Sequence, residues 1–339
     1  MGSVRKNRIT LKPSSILQMQ LENEYGASNV NTLLPTLLYR FQGDFDNYEQ
    51  VLSDRQKEKF PRESGGHEHF HVTLIPLPID FLPDALYPIE KKESSCGAVV
   101  AAYYFDGMPN RIFRLRVYTM YSENVDKEGG IADEVNMKLF TVDPVLEEKL
   151  RQESENAVQK WPSLIEQHVS QANINNFQEL DRCDIKWSRK ADTIRHSYLT
   201  KYTSLGREHK HPIHAIMMND HAEGGVLLES QMMPGSMIRI QDELSLWEDA
   251  LWINDRGHDA ESKAMIYGNW HGVPYQMKRV ASLKLNDSHS VYERTVIDDN
   301  LSWTMGSNFR TAEVYEAKMN AIGGSTTKMN QKRQTRSQE

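Results

Sequence analysis

Cysteine is almost absent from this chain, since Cys96 and Cys183 are the two in 339 residues. Two cysteines cannot form the disulfide framework on which small secreted domains depend, so we expect a reducing compartment. Long apolar runs are also lacking: the longest, Val99–Phe105, has the length of a strand, whereas a membrane-spanning helix needs roughly 20 apolar residues. These shortages favour a soluble protein without a membrane span.

Positive charge is in short supply as well. The chain has 40 Lys and Arg against 47 Asp and Glu, which gives a formal net charge of −7. Phosphate contacts need a surplus of Lys and Arg, so nucleic acid is not an expected partner. The basic segment Met1–Ser15 lacks the apolar stretch of a secretory signal. We expect it to be a disordered leader, with organelle targeting as the alternative.

The common catalytic signatures are missing too, namely a Gly-rich phosphate loop, a Ser-His-Asp signature and zinc-finger spacing. What the chain does contain is a series of about ten short strand-like stretches, many of them alternating polar and apolar residues, which favours a β-barrel or sandwich. They are His67–Pro76, Gly97–Asp106, Arg111–Tyr121, Met137–Val142, Asp184–Trp187, Ile213–Met218, Gly225–Met232, Ser236–Ile240, Leu251–Asn254, Lys263–Tyr267 and Val273–Val280.

Helices are few. Leu33–Phe41 is amphipathic, and Asp44 or Asp46 is placed to cap a second helix that runs to Lys57. Pro144 suits the first position of a third helix, and Pro162 the start of a fourth. The expected organisation is a basic leader at 1–28, a barrel domain at 29–283 with a helical insertion near 143–170, an extension at 284–322 and a disordered tail at 323–339.

Three histidines, His67, His69 and His71, alternate along one predicted strand and therefore share a face. Such a row can hold a metal ion, but no second group of ligand residues stands out in the sequence. We expect a hydrogen-bonded polar wall in a cavity, with a packing role as the alternative, and no metal.

The stretch Arg111–Tyr118 also alternates. Arg114, Arg116 and Tyr118 lie on one face, and Phe113, Leu115 and Val117 lie on the other. If the apolar set forms the core, the arginines are solvated. If helices cover the apolar set, the arginines point into a polar cavity, where guanidinium groups need anionic partners.

Two further segments stand out. Cys183 follows Arg182, and nothing adjacent obviously lowers the pKa of its thiol. Asn254–Asp259 predicts a tight turn in which Gly257 permits a positive φ. Either segment could be kept for folding alone.

In their order along the chain these segments resemble the CpcT/CpeT family of phycobiliprotein chromophore lyases. The resemblance rests on the Gly43–Gln50 segment, the histidine strand, the Phe113–Tyr118 strand, the Cys183 segment and the Asp255–Asp259 turn with the later Gly272-Val273-Pro274-Tyr275. The chain departs from the family pattern at Phe113, Arg182 and Tyr267, and no cysteine follows Cys183.

The resemblance implies a mainly β fold: a lipocalin-like, calyx-shaped antiparallel β-barrel with a few peripheral helices. It implies an enzyme that attaches a bilin, phycocyanobilin or phycoerythrobilin, by a thioether bond to a cysteine of a phycobiliprotein subunit, without a tightly bound cofactor. It also implies a plastid or cytoplasmic location, and members often pair as homodimers.

Residue roles follow from that resemblance. Arg114 and Arg116 would clamp the bilin propionates, and Tyr103, Tyr118 and Trp252 would stack on its rings. His69 or His71 would take the proton of the client thiol. The expected catalytic residues are His69, His71 and Asp255, and the expected bilin-binding residues are Glu68, Tyr103, Arg114, Arg116, Tyr118, Trp252, Arg256 and Tyr267.

Two other functions suit the same barrel. One is a non-catalytic carrier of a tetrapyrrole or lipid, which the departures from the family pattern would suit. The other is a structural or interaction protein of the plastid, which would bind no bilin.

Overall fold

The computed structural model describes residues 33–90, 95–122, 134–169, 174–189, 213–217, 225–230, 235–285 and 292–297. The expected leader at 1–28, the tail at 323–339 and most of the 284–322 extension lie outside these residues. Four α-helices occur in the described ranges: α1 (Leu33–Arg40), α2 (Tyr48–Gln56), α3 (Pro144–Gln152) and α4 (Ala157–His168).

The described residues also contain sixteen strands. In chain order they are β1 (Gly43–Asp46), β2 (Phe70–Leu77), β3 (Cys96–Phe105), β4 (Ile112–Tyr121), β5 (Glu134–Val142), β6 (Phe177–Glu179), β7 (Ile185–Ser188), β8 (Ile213–Met217), β9 (Val226–Glu229), β10 (Met237–Gln241), β11 (Glu243–Leu246), β12 (Ala250–Ile253), β13 (Arg256–Asp259), β14 (Met265–Tyr267), β15 (Tyr275–Leu285) and β16 (Tyr292–Val296).

Ten of these strands form a closed barrel in the order β1-β2-β3-β4-β5-β7-β8-β11-β12-β15, and β1 pairs with β15 to complete it. All of its pairings are antiparallel. Closure removes the unpaired strand edges that would otherwise be exposed. Strands β9, β10, β13 and β14 form a separate small sheet. The expected mainly β, lipocalin-like barrel with peripheral helices is confirmed.

Both faces of the barrel wall are buried over much of its extent. Inward-facing side chains such as Val99 and Met120 form one apolar cluster with residues from all ten barrel strands. Outward-facing side chains such as Val100 and Val117 form a second cluster with Leu146 of α3 and Trp161 of α4. Side chains alternate between the two faces of a strand, so covering the outer face with helices fixes which residues point inward.

Helix α1 plugs one end of the barrel. Leu33, Leu37 and Phe41 belong to the interior cluster and are at most 1% exposed. Leu38 lies so close to Gly97 of β3 that a Cβ at that position would be 2.6 Å from its side chain, which accounts for glycine there. We call this end of the barrel the plugged end.

The expectations about helix starts are confirmed in part. Gly43–Asp46 is a strand paired on both sides, and its two aspartates bind neighbouring side chains. Asp46 also serves the start of α2, because its Oδ1 atom accepts a hydrogen bond of 2.6 Å from the backbone N–H of Tyr48. The expected start at Pro162 is wrong. Pro162 lies inside α4. That helix begins earlier because Ala157, Val158 and Trp161 all bury side chains against the barrel's outer cluster. Asp143, by contrast, caps α3 through the N–H groups of Val145 and Leu146.

The plug yields a prediction about stability. Leu37→Ala should lower the free energy of unfolding by about 2–5 kcal/mol, because it removes buried methyl groups and leaves a cavity. Urea unfolding followed by circular dichroism measures this. The control is Val145→Ala on α3, where Val145 is 59% exposed, and its effect should stay within about 0.5 kcal/mol. Equal effects of the two substitutions would contradict the plug.

Candidate functional site

The end of the barrel opposite the plug carries inward-facing charge. Residues that lie directly opposite each other on paired strands share a face of the sheet. Arg114 lies opposite Tyr103 and Arg116 lies opposite Ala101, and both partners belong to the interior cluster. Tyr118 belongs to that cluster as well. We call the region lined by Tyr103, Arg114, Arg116, Tyr118 and Asp255 the arginine end.

The sequence left open whether helices cover the apolar face of β4. They do cover Leu115 and Val117, which lie in the outer cluster with α3 and α4. Phe113 is not covered in this way. The register between β3 and β4 shifts at this point, so that Tyr104 pairs with Ile112 and Phe113 is an extra residue. The bulge turns Phe113 onto an aromatic group that includes Phe70 and Phe105, at ring-centroid distances of 5.0 and 4.4 Å.

Arg114 already has an anionic partner. Its Nη2 atom lies 2.7 Å from Oδ2 of Asp255, and its guanidinium lies 5.5 Å from the centre of the Tyr103 ring. Burial by itself would lower the pKa of Arg114, but the Asp255 carboxylate outweighs it and the pKa is raised. The side chain is nevertheless 29% exposed. Water therefore reaches this end of the barrel.

Two tyrosines complete the wall beside Arg114. The hydroxyl oxygens of Tyr103 and Tyr118 lie 3.1 Å apart and share a hydrogen bond. Burial raises the pKa of both phenols, so they remain neutral at physiological pH. They can donate to or accept from a bound polar group.

Arg116 differs from Arg114 because the acid that acts on it, Glu147 of α3, does so only from a distance. Its guanidinium Nη1 donates to the backbone oxygen of Leu115 at 2.8 Å. Across the described ranges, no carboxylate makes a salt bridge with it. Burial and the neighbouring Arg114 both lower the pKa of Arg116. A half-buried cation in this position is the element of the site that most favours an anionic ligand.

Sequence reasoning missed Asp242, which lies between β10 and β11. Burial, together with repulsion from Asp255, raises the pKa of its carboxyl to about 7. Its Oδ1 atom is buried and has no hydrogen-bond partner in the described part of the chain. No local pattern marks this residue, because it lies in the link between two strands that belong to different sheets.

The predicted residues of the turn after β12 are only partly brought together. Asp255 binds Arg114 and accepts a hydrogen bond from Tyr267. Arg256 instead pairs with Glu243 at 3.4 Å. The expected positive φ at Gly257 is wrong: the residue lies in strand β13, and a Cβ there would be 2.0 Å from the Tyr267 ring. Glycine makes room for that ring.

Glu68 contributes to the rim of the arginine end. Its Oε2 atom accepts a hydrogen bond of 2.7 Å from the hydroxyl of Tyr275. The Tyr275 ring stacks on Phe70 with centroids 4.6 Å apart. This aromatic rim, made of Phe70, Phe105, Phe113 and Tyr275, lies next to the charged group and offers a flat apolar surface.

His69 and His71 do not line the cavity, so that expectation is wrong. Val72 and Leu74 of β2 belong to the interior cluster, and the histidines lie on the opposite face. They are 3% and 0% exposed. His69 Nε2 lies 2.9 Å from Asp46, and His71 Nδ1 lies 3.0 Å from the same carboxylate. They contact the aspartates of β1, which the sequence did not place in a strand.

This buried cluster is an ion pair rather than a wall for a ligand. Burial opposes a charge on His71, but its hydrogen bonds to Asp44 and Asp46 outweigh burial and raise its pKa to about 9. The same histidines hold the pKa of Asp46 well below its usual range despite burial. The cluster fastens β2 to β1, the strand that closes the barrel.

Trp252 also faces away from the interior, which contradicts its predicted stacking role. Its neighbours Leu251 and Ile253 belong to the interior cluster, so alternation directs Trp252 outward. Its ring packs on Trp247 with centroids 5.0 Å apart.

Neither cysteine is placed for chemistry. Cys96 and Cys183 are both buried and unpaired. Burial and the nearby Asp184 raise the pKa of Cys183 to about 11, so its thiol is protonated near neutral pH and is a poor nucleophile. Within the described ranges, no three His, Cys, Asp or Glu side chains form a group that could hold a metal ion. None of the described helices combines the length and apolarity needed to cross a membrane.

Comparisons with known proteins give a distant likeness among solved structures. No protein-family model matches this chain, and no curated protein does. Among solved structures, it is similar to the CRL protein of Arabidopsis in its selenomethionine form, with 12% identity and a TM-score of 0.42. That match covers 72% of this chain and 95% of the other. The likeness bears on neither ligand nor activity.

The buried ion pair makes stability depend on pH. Folding raises the pKa of His71 from its ordinary value of 6.5 to about 9. Its contribution is therefore fully present below pH 6.5 and is lost as the pH rises through about 9. We expect His71→Gln to cost most near pH 6, on the order of 3 kcal/mol, and progressively less towards pH 9.5.

Urea unfolding at a series of pH values measures this difference. His168→Gln serves as the control because His168 lies partly exposed at the end of α4. Its effect should be small at every pH. A cost of His71→Gln that does not change between pH 6 and 9.5 would show that His71 is not charged in the folded protein.

Proposed function

We propose that this protein is a non-covalent carrier of a linear tetrapyrrole, or of a ligand with the same chemistry, bound at the arginine end of the barrel. A linear tetrapyrrole has flat conjugated rings and two propionates. The rings suit the aromatic rim of Phe70, Phe105, Phe113 and Tyr275. The propionates suit guanidinium groups, which bind carboxylates with two parallel hydrogen bonds.

The observation that carries the proposal is Arg116. It faces the barrel interior opposite Ala101, and no described carboxylate pairs with it. A guanidinium held partly out of water without an anion is costly. A ligand carboxylate would remove that cost, and Arg114 beside it could take a second carboxylate by exchange with Asp255.

The geometry favours a carrier over the lyase that the sequence predicts. A lyase needs a proton acceptor near the client thiol. The two histidines expected in that role lie on the outer face of β2, inside an ion-pair cluster. The carboxylates Asp242 and Asp255 are the acceptors that remain at the arginine end. Whether the protein also attaches the pigment to a phycobiliprotein cysteine is tested separately, by the second measurement below.

The first test is titration of the protein with phycocyanobilin, followed by absorbance and induced circular dichroism. We expect Arg116→Ala to weaken binding by roughly 10- to 100-fold, because it removes a charge-assisted hydrogen bond of about 1.5–3 kcal/mol. Arg116→Lys keeps the positive charge but loses the planar guanidinium group, so its affinity for phycocyanobilin should lie between that of the wild type and that of Arg116→Ala.

The matched control is Lys186→Ala. Lys186 is a cation on the outer side of β7, paired with Glu134, and its removal should leave the affinity unchanged. Unaltered pigment binding in Arg116→Ala would sink the proposed role of Arg116. A wild-type protein that gives no spectral change would sink the carrier and favour the interaction protein.

A second measurement addresses catalysis. The protein is incubated with phycocyanobilin and a phycobiliprotein β subunit, then denatured in acid and analysed by mass spectrometry. A carrier leaves the rate of thioether formation on the subunit unchanged. A faster rate, lost in Asp255→Asn, would establish the lyase instead.

A further inference from the structure

Asp242 has the features of a ligand contact. Its Oδ1 atom is buried without a hydrogen-bond partner among the described residues, while its carboxyl accepts a hydrogen bond from the backbone N–H of Glu243. A buried acceptor that is left unpaired costs stability. Such an atom in a folded protein calls for a donor that the chain itself does not supply.

Asp242 lies at the arginine end, where Arg114 and Asp255 act electrostatically on its carboxyl. Asp242 and Arg116 both act electrostatically on Tyr118 and on Cys183, so both lie near these two interior residues. No salt bridge joins them within the described ranges. Among the described residues, the arginine end thus offers a cation without a salt-bridge partner and a buried carboxylate oxygen, Oδ1 of Asp242, without a donor.

The other charged groups around Asp242 do not fill this need. Arg114 is engaged with Asp255, and Arg256 with Glu243. Asp255 repels a charge on Asp242, whereas Arg114 and Arg256 favour one. The repulsion and burial together raise the pKa of Asp242 to about 7, so near neutrality its carboxyl is present in both forms.

From this arrangement we propose that Asp242 accepts a hydrogen bond from a ring N–H of the ligand while Arg116 binds the ligand's carboxylate. The site then selects acid-bearing ligands that contain nitrogen heterocycles over fatty acids, which have a carboxylate but no N–H group. This inference rests on the proposed function and adds the feature that separates a tetrapyrrole from a lipid.

The test compares biliverdin, which has propionates and ring N–H groups, with oleate, which has a carboxylate alone. Fluorescence quenching gives the affinities of both at pH 7.5. Asp242→Leu removes the acceptor and should weaken biliverdin binding by roughly 10- to 100-fold, with oleate binding unchanged. Asp242→Asn retains an acceptor oxygen and should recover most of the biliverdin affinity.

The thermal stability of the ligand-free variant is measured beside the binding affinities. Asp242→Leu removes an unpaired buried acceptor, so the ligand-free variant should unfold at the wild-type Tm or about 2–4 °C above it. The slope of stability against pH should also change. A carboxyl with a raised pKa in the folded state stabilises the fold less as the pH rises from about 4 to 7, and Asp242→Leu should lack that decline.

The outcomes separate the two proposals. Wild-type protein that binds neither biliverdin nor oleate overturns the carrier itself. Biliverdin binding that Asp242→Leu leaves unchanged overturns the role of Asp242 alone. So does an equal loss of biliverdin and oleate, since it would mean that Asp242 shapes the site without recognising an N–H. A lower Tm for ligand-free Asp242→Leu would also overturn it, by showing that the carboxyl gains more stability from partners within the chain than its unpaired Oδ1 atom costs.

Discussion

The packing on the outer face of strand β4 determines which of its side chains point into the candidate site. Leu115 and Val117 are buried with α3 and α4 on the outside of the barrel. Because side chains alternate along a strand, this packing forces Arg114, Arg116 and Tyr118 to the inside. Without the helices, the apolar face would seek the interior and the arginines would be solvated. The helical insertion between β5 and β6 is thus part of the site, and Glu147 of α3 also acts electrostatically on Arg116.

The sequence predicts most of the strands and the alternation of β4 because both depend on local period-2 patterns. These patterns leave a barrel and a sandwich open, and the family resemblance implies the barrel. It does not predict the direction of the histidine strand, because β2 is buried on both faces and its pattern suits either orientation. The deciding fact is a tertiary one: Asp44 and Asp46, far away in the chain, form the strand β1 next to the histidines. A four-residue strand of Gly, Asp, Phe and Asp has too little apolar character to be recognised by pattern.

The other misplaced residues have similar causes. A one-residue bulge directs Phe113 to the aromatic rim, and a shift of one residue reverses every side-chain direction that alternation predicts. An indole ring can stack on a pigment, which is why Trp252 was expected at the site. Its direction, however, depends on its neighbours Leu251 and Ile253, which point into the barrel. Asp242 stands out only when its environment is known, since burial and the neighbouring Asp255 raise its pKa, and neither can be read from its place between Gln241 and Glu243.

The barrel wall carries two groups of buried charge, the histidine cluster on its outer face and the arginine end inside. They differ in whether the chain itself neutralises their charges, and this difference supports different roles. On the outer face, His69 and His71 share the Asp46 carboxylate, so the charges of the cluster are compensated within the chain. Such a cluster holds strands β1 and β2 together. At the arginine end, no described carboxylate makes a salt bridge with Arg116, and Oδ1 of Asp242 has no hydrogen-bond donor among the described residues. Compensated charge is sufficient for folding, whereas uncompensated charge lowers stability and is retained where a ligand completes it. On this ground we propose the arginine end, and not the histidine cluster, as the part of this barrel that binds a ligand.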